Sequence, residues 1–213
     1  MNLKKRLIPN IPYVVIGLFA TNLGEGWRLA AGSNASEKPP LLYDLTTLQR
    51  DANRLLGYTA QQTLDYAQSL YEKKLCTYPR TDSRYLTGDM ADGLPVLVNA
   101  IAKAMSFAKG LYISAEIQQV INDGKVTDHH AIIPTMTLKD TNLAELPAGE
   151  RSILYLIVVR LLCAVGKKHD YAETIITVEC AGAEFTAKGR SVLNPGWRTI
   201  DSACKAMLKG KPV

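Results

Sequence analysis

The sequence predicts an α+β fold, mainly helical with one β-hairpin, and three observations carry that expectation. Two helix starts in close succession bear capping-box patterns, residues 150–165 are apolar on nearly every side, and residues 174–188 alternate apolar with polar side chains about a glycine. Helices followed by a hairpin make a winged-helix-like module the natural architecture.

Lys38-Pro39-Pro40 reads as an extended linker, because each proline drives its predecessor away from the helical region. Thr46-Thr47-Leu48-Gln49 has the Thr-x-x-Gln form of a capping box, and Leu45, Leu48, Ala52, Leu55 and Leu56 recur at helical spacing until Gly57 closes the element. A second box, Thr59-Ala60-Gln61-Gln62, opens another helix with Ala60, Leu64, Ala67 and Leu70 on its inner face, so the pair suggests a helix-turn-helix. Leu75-Cys76-Thr77-Tyr78 is a short strand stopped by Pro79. Asp89 to Ala108 is helical, with Pro95 marking a start or a break, and Ala115 to Ile121 adds a short helix before the Asn122-Asp123-Gly124 turn. Glu150 to Val165 is the buried central helix; Glu150 near its start and Lys167-Lys168 beyond Gly166 suit the helix dipole. Thr174 to Ala181 sets Ile176, Val178 and Cys180 against Thr177 and Glu179, and Glu184 to Lys188 alternates again around Phe185 and Ala187, which makes the hairpin.

With 47% hydrophobic and 21% charged residues in 213, the chain can bury one good core or two small ones, which excludes a disordered tail. A formal net charge of +5 leans toward a polyanionic partner. Cys76, Cys163, Cys180 and Cys204 are far apart and form no Cys-x-x-Cys pair, so neither a zinc ribbon nor a disulfide framework is indicated and the expected setting is reducing and cytoplasmic. The first 37 residues differ in character. Lys4-Lys5-Arg6, the apolar run from Ile11 to Ala20 and the small residues Ala30-Ala31-Gly32-Ser33 imitate a secretory signal peptide, yet Pro9, Pro12 and Gly17 interrupt the pattern and the run is too short to cross a bilayer. A secreted or membrane-attached protein would rest on that segment alone, and no membrane partner is expected.

The most informative segment is Thr77-Tyr78-Pro79-Arg80-Thr81-Asp82-Ser83, which sets a phenol two residues from a guanidinium. A tyrosine that attacks phosphate needs a nearby cation to favour the phenolate and hold the phosphodiester, and arginine offers a permanently charged planar fork. The adjacent His129 and His130 invite a metal reading, but neighbours on an extended strand point to opposite faces and no carboxylate or cysteine completes a ligand set, so no metal site is assigned.

Leu41 to Asn53 before this segment, and Val126-Thr127-Asp128-His129-His130-Ala131-Ile132-Ile133-Pro134-Thr135 after it, give three ordered motifs that together resemble the type IA DNA topoisomerases, most closely the bacterial topoisomerase III branch. The likeness runs from about Lys38 to about Ile200 and ends in Asn194-Pro195-Gly196-Trp197-Arg198. It divides the chain into an atypical segment 1–37, a central region 38–200 with the tyrosine, and a tail 201–213. Ile133 stands where one branch of the family has arginine, which favours the topoisomerase III branch.

The resemblance implies a winged-helix-like tyrosine domain with pieces of neighbouring domains. It also implies that the tyrosine matching Tyr78 cleaves single-stranded DNA through a 5′-phosphotyrosyl bond and reseals it without ATP, changing DNA topology. Arg80 would bind the scissile phosphate and His129 would hydrogen-bond beside it; Thr81, Asp82, Ser83, Arg84 and His130 are candidate nucleic-acid contacts. Family enzymes use Mg2+ held by an N-terminal acidic cluster, and nothing before Lys38 resembles that domain; Asp89-Met90-Ala91-Asp92 reads as helix capping instead. The expectation is therefore a fragment, inactive by itself, binding neither metal nor a small-molecule cofactor, with a separate N-terminal metal-binding polypeptide as a conceivable partner. The alternative is a non-catalytic single-stranded DNA-binding winged-helix module.

Overall fold

The computed structural model of the chain describes residues 27–29, 33–108, 115–180 and 183–209. They fall into two compact units: residues 38–168 together with the stretch from 196 onward, and the strands formed by residues up to 37 and 169–195.

In the strand unit, β1 (Trp27–Leu29) and β2 (Ser33–Glu37) each pair antiparallel with β3 (His169–Cys180), and β4 (Ala183–Asn194) pairs antiparallel along the whole of β3. Trp27 stands opposite Val178, Ser33 opposite Glu173 and Cys180 opposite Ala183. A strand has two edges, so β4 fills one edge of β3 while β1 and β2 share the other. Both hairpin strands are longer than their alternation predicts. Pairing continues past Gly189 because Arg190 lies directly opposite Glu173, ion-paired to it at 3.2 Å, with its guanidinium 4.8 Å from the Tyr171 ring centroid. Ala181, the last residue of the first predicted strand, and the apolar run 11–20 lie outside the described residues. Residues 27–29 and 33–37, within the segment read as an atypical start, run in this sheet.

The helical unit holds α1 (Leu45–Leu56), α2 (Ala60–Glu72), α3 (Leu94–Ala104), α4 (Ala148–Ala164) and α5 (Arg198–Lys209). The cap of α1 sits earlier than the Thr46 box: Asp44 accepts from the Thr47 N–H at 2.6 Å and the Asp44 N–H reaches the Thr47 hydroxyl. A short charged acceptor completes this reciprocal pair one residue before the helix, and Gln49 is freed to donate to the Ala60 carbonyl at the start of α2, 3.0 Å away. Gly57, at φ +73°, then ends α1 in the left-handed region, its N–H on the Asn53 carbonyl. The Thr59–Gln62 box of α2 is formed in both directions. Its inner face differs from the expectation in that Thr63 is fully buried while Ala60 is exposed and Leu64 half-buried. Thr63 tolerates that position because its hydroxyl returns a bond to the Thr59 carbonyl at 2.9 Å.

The predicted helix from Asp89 begins only at Leu94, with Pro95 in its first turn, where a missing N–H costs nothing. A 3-10 turn, Gly88–Met90, precedes it and another, Ser106–Ala108, follows; Ile117–Val120 and Asp123–Lys125 are also 3-10 turns. The central helix α4 is apolar on nearly every side and accordingly touches α1, α2, α3 and α5, burying Ile153, Ile157, Leu161 and Leu162 completely. Glu150, buried in its first turn, is satisfied by Ser69 at 2.9 Å and by Lys73, which anchors the end of α2 to the start of α4.

A second polar tie lies between α1 and α4. Arg160 of α4 is ion-paired with Asp51 of α1, stacks its guanidinium 4.1 Å from the Tyr43 ring centroid, and shares Asp51 with the Tyr43 hydroxyl at 2.9 Å and with Arg54. Burial drives the Tyr43 phenol well above its ordinary range, so it stays a donor. Burial would raise Asp51 too, but hydrogen bonds from Arg54 and Tyr43 and the charge of Arg160 outweigh it and hold the carboxyl below its usual value.

Removing core volume at Ile157→Ala should lower the unfolding free energy by about 2–5 kcal/mol. Gly196→Ala should cost about 1–3 kcal/mol, since its φ is +50° and a Cβ would collide with the Lys167 and Lys168 carbonyl oxygens. Val96→Ser, at a position 61% exposed, should stay within about 0.5 kcal/mol of the parent in the same denaturant titration.

A depressed folded pKa at Asp51 contributes stability that is fully present above the unfolded value, about 3.9, and disappears as pH falls through the folded value. The melting temperature should therefore drop below about pH 4, and the drop should be shallower in Asp51→Asn. That variant should also lose about 3 kcal/mol at neutral pH by leaving Arg160 unpaired.

Candidate active site

The chain leaves α2 through Lys74, whose φ of 58° is left-handed, and runs extended from Leu75. Leu75 and Cys76 are buried and pair with Ile133–Thr135: the Thr77 N–H donates to the Ile133 carbonyl at 2.9 Å and the Thr135 N–H to that of Leu75 at 3.1 Å. The predicted strand is thus a single bridge flanked by these bonds. Its partner segment is too short and too irregular to build a ladder. The Thr77 hydroxyl accepts from the Ile133 N–H at 3.0 Å and donates to the Ala131 carbonyl at 3.1 Å. With Thr77 turned to that side, Tyr78 faces the other and Pro79 ends the segment.

The half-buried Tyr78 ring lies between two others. His129 is tilted against it with centroids 4.5 Å apart, and Tyr71, in the last turn of α2, meets it edge-on at 5.3 Å. Thr81 brings His129 there, its hydroxyl donating to the His129 carbonyl at 2.7 Å. Arg80 is exposed, and among the described residues no hydrogen bond or ion pair holds its guanidinium. The result is a phenol with a fixed ring plane, an imidazole on one face and an uncommitted cation two residues on.

The other candidates divide. Thr81 and Ser83 are buried, and the Ser83 hydroxyl donates to the Lys125 carbonyl at 2.8 Å while accepting from Tyr85. Arg84 donates from Nε to the Leu42 carbonyl at 3.1 Å, and His130 from Nδ1 to the Ala131 carbonyl at 2.8 Å. Asp82 is exposed. Tyr71 was missed from sequence, although an aromatic residue in the last helical turn before a reactive loop is a signal that could have found it. Among the described residues no three His, Cys, Asp or Glu side chains gather as a metal site. The buried thiols are poor nucleophiles: burial pushes Cys76 and Cys163 up to about 12 and Cys204 up to about 11. No helix among the described residues is long and apolar enough to cross a membrane.

The sequence profile of the family described as DNA topoisomerase matches residues 30–210. DNA topoisomerase 3 of Bacillus subtilis (strain 168) is 42% identical over 167 residues, covering 76% of this chain and 23% of that protein. DNA topoisomerase 3 of Bacillus licheniformis is 41% identical over 169 residues, again covering 76% and 23%. The chain thus spans under a quarter of the length of these relatives. Among solved structures, full-length topoisomerase I from Thermotoga maritima superposes with a TM-score of 0.60 at 22% identity, over 82% of this chain and 29% of that one, which shows a shared fold. An extent of match that takes in both units, with relatives at this identity, places the chain in the type IA DNA topoisomerase family, on the topoisomerase III branch.

Proposed function

We propose that the chain is the strand-cleaving part of a topoisomerase III, with Tyr78 as nucleophile toward single-stranded DNA. The observation that carries this is the Tyr78 ring held between Tyr71 and His129, with the exposed, uncommitted Arg80 guanidinium two residues on in the sequence. The phenolic oxygen attacks phosphorus, the bond from phosphorus to the 3′ oxygen breaks, and that oxygen leaves as a 3′ hydroxyl, taking up one proton for the one the phenol gives away. The 5′-phosphotyrosyl bond stores the energy of the broken linkage, so resealing by the reverse attack needs no ATP. Arg80 binds the non-bridging oxygens and offsets charge in the transition state; His129 supplies a hydrogen bond beside it. Thr81 and Ser83 act through the backbone by shaping the loop, and Asp82, Arg84 and His130 border it.

Magnesium, which the family implies, finds no cluster of three ligating side chains among the described residues, so no step is routed through a metal on this chain. The alternative, a non-catalytic binding module, separates from this reading at one point. Only a nucleophilic Tyr78 forms a detergent-resistant adduct with DNA.

In a chimera where this chain replaces the matching region of the Bacillus subtilis relative, Tyr78→Phe should abolish the adduct with single-stranded oligonucleotide while binding stays within about twofold. Arg80→Lys should reduce cleavage by about 10²-fold, since a point charge cannot copy the fork. An adduct that persists in Tyr78→Phe would move the nucleophile elsewhere. For the chain alone, affinity for oligothymidylate should fall linearly with the logarithm of salt concentration, with a slope of about −0.7 per phosphate contacted. Filter binding at several ionic strengths reads that slope, and a flat line would remove single-stranded DNA as ligand.

A further inference from the structure

Past the tyrosine, the reactive loop continues to Tyr85, and this ring carries a cation from a segment remote in sequence. The Lys125 ammonium stands 4.9 Å from the Tyr85 ring centroid, at the end of the 3-10 turn Asp123–Lys125. Both residues are hitched to the loop through Ser83, whose hydroxyl donates to the Lys125 carbonyl at 2.8 Å and accepts from the Tyr85 N–H at 3.1 Å. The Tyr85 carbonyl accepts in turn from the Ala131 N–H at 2.9 Å, which ties the pair to the segment that carries His129.

The Lys125 side chain is exposed, and no opposite charge holds it. Asp123, the carboxylate of its own turn, accepts from the Gly88 N–H at 2.9 Å, and among the described residues neither Asp82, Asp128 nor any other carboxylate forms an ion pair with Lys125. The ring occupies one side of the ammonium and leaves N–H donors on the other side for a ligand. Lys125 stands four residues before His129, and a chain of that length reaches at most about 14 Å. A stacked strand carries a phosphate about every 3.4 Å, so a phosphate within about four nucleotides of the one at Tyr78 can reach Lys125. A lysine ammonium takes phosphate as a point charge and reads nothing of the base.

We propose that Lys125, its ammonium seated over the Tyr85 ring, binds a second phosphodiester of the single strand, a few nucleotides from the one attacked, and so holds the path of the strand past Tyr78. The proposal rests on the reading that single-stranded DNA is the substrate, but not on Tyr78 being the nucleophile.

Fluorescence anisotropy of labelled oligothymidylate, titrated with the full chain at several ionic strengths, reads both affinity and salt slope. Lys125→Gln should lower affinity about fivefold at low salt and make the slope shallower by about 0.7, the loss of one phosphate contact. Lys125→Arg should retain both values. Lys103→Gln, at an exposed lysine of α3, should also retain them, which separates a contact from a loss of net charge. The effect of Lys125→Gln should be equal for oligothymidylate and oligodeoxyadenylate, because the phosphate is common to both. A parent chain without salt-dependent binding would overturn the substrate reading and this contact with it. A parent that binds with a slope that Lys125→Gln leaves unaltered, or reduces no more than Lys103→Gln does, would overturn the contact alone. A loss confined to one of the two oligonucleotides would put a base in place of the phosphate and overturn it as well.

Discussion

Two threonine hydroxyls fix the loop that carries the tyrosine and the segment that brings His129 to it. Thr77 saturates the Ile133 N–H and the Ala131 carbonyl with one side chain, and Thr81 ties the reactive loop to the carbonyl of His129. A pairing as short as that of Cys76 with Pro134 is marginal without help, so these side-chain bonds take the place of the missing ladder. They are also what set the imidazole against the phenol, because the two rings come from segments that are remote in sequence. The opposite wall depends on a different tie. Glu150, held by Ser69 and Lys73, anchors the last turn of α2, and that turn carries Tyr71 to the edge of the Tyr78 ring. A buried carboxylate at a helix start thereby positions an aromatic side chain at the candidate site.

The parts of this fold that were legible in the sequence are those decided locally. The Thr59 box, the Gly57 stop and the mainly apolar surface of α4 each follow from neighbours within a turn or two, and each is present. The Thr46 box failed because Asp44, also local, is a stronger acceptor two residues earlier. Thr63 was overlooked since a hydroxyl looks misplaced in a core until its bond to the preceding turn is known. The hairpin was read too short because alternation of side chains reports burial, whereas β4 beyond Gly189 is exposed and held by backbone pairing and an ion pair.

At the site, Tyr78 and Arg80 could be named together because they are contiguous. The Tyr71 contact and the Asp51–Arg160–Tyr43 cluster could not, since they arise where helices meet and no spacing encodes them. Burial of Thr81 and Ser83 was hidden for the same reason. A polar residue in a motif can serve the backbone as readily as a ligand, and only the packing tells which.

The strand unit is sewn from pieces far apart in the chain. Ser33 finds Glu173 across the entire first stretch of the helical unit, while β3 and β4 are separated by only two residues of sequence. The entropy of closing so long a loop falls once residues 38–168 have collapsed, because the effective path between the partners is then short. The β3–β4 ribbon can zip on its own timescale, but β1 and β2 have no template until β3 exists. During synthesis β1 and β2 would therefore wait, unpaired, while the helices that follow them condense. The hydrogen bond from the Trp197 N–H to the Lys167 carbonyl closes the excursion at its base, returning the chain to α5 beside the place where it left α4. The connectivity thus favours one order of assembly: helices first, ribbon next, and β1 and β2 last.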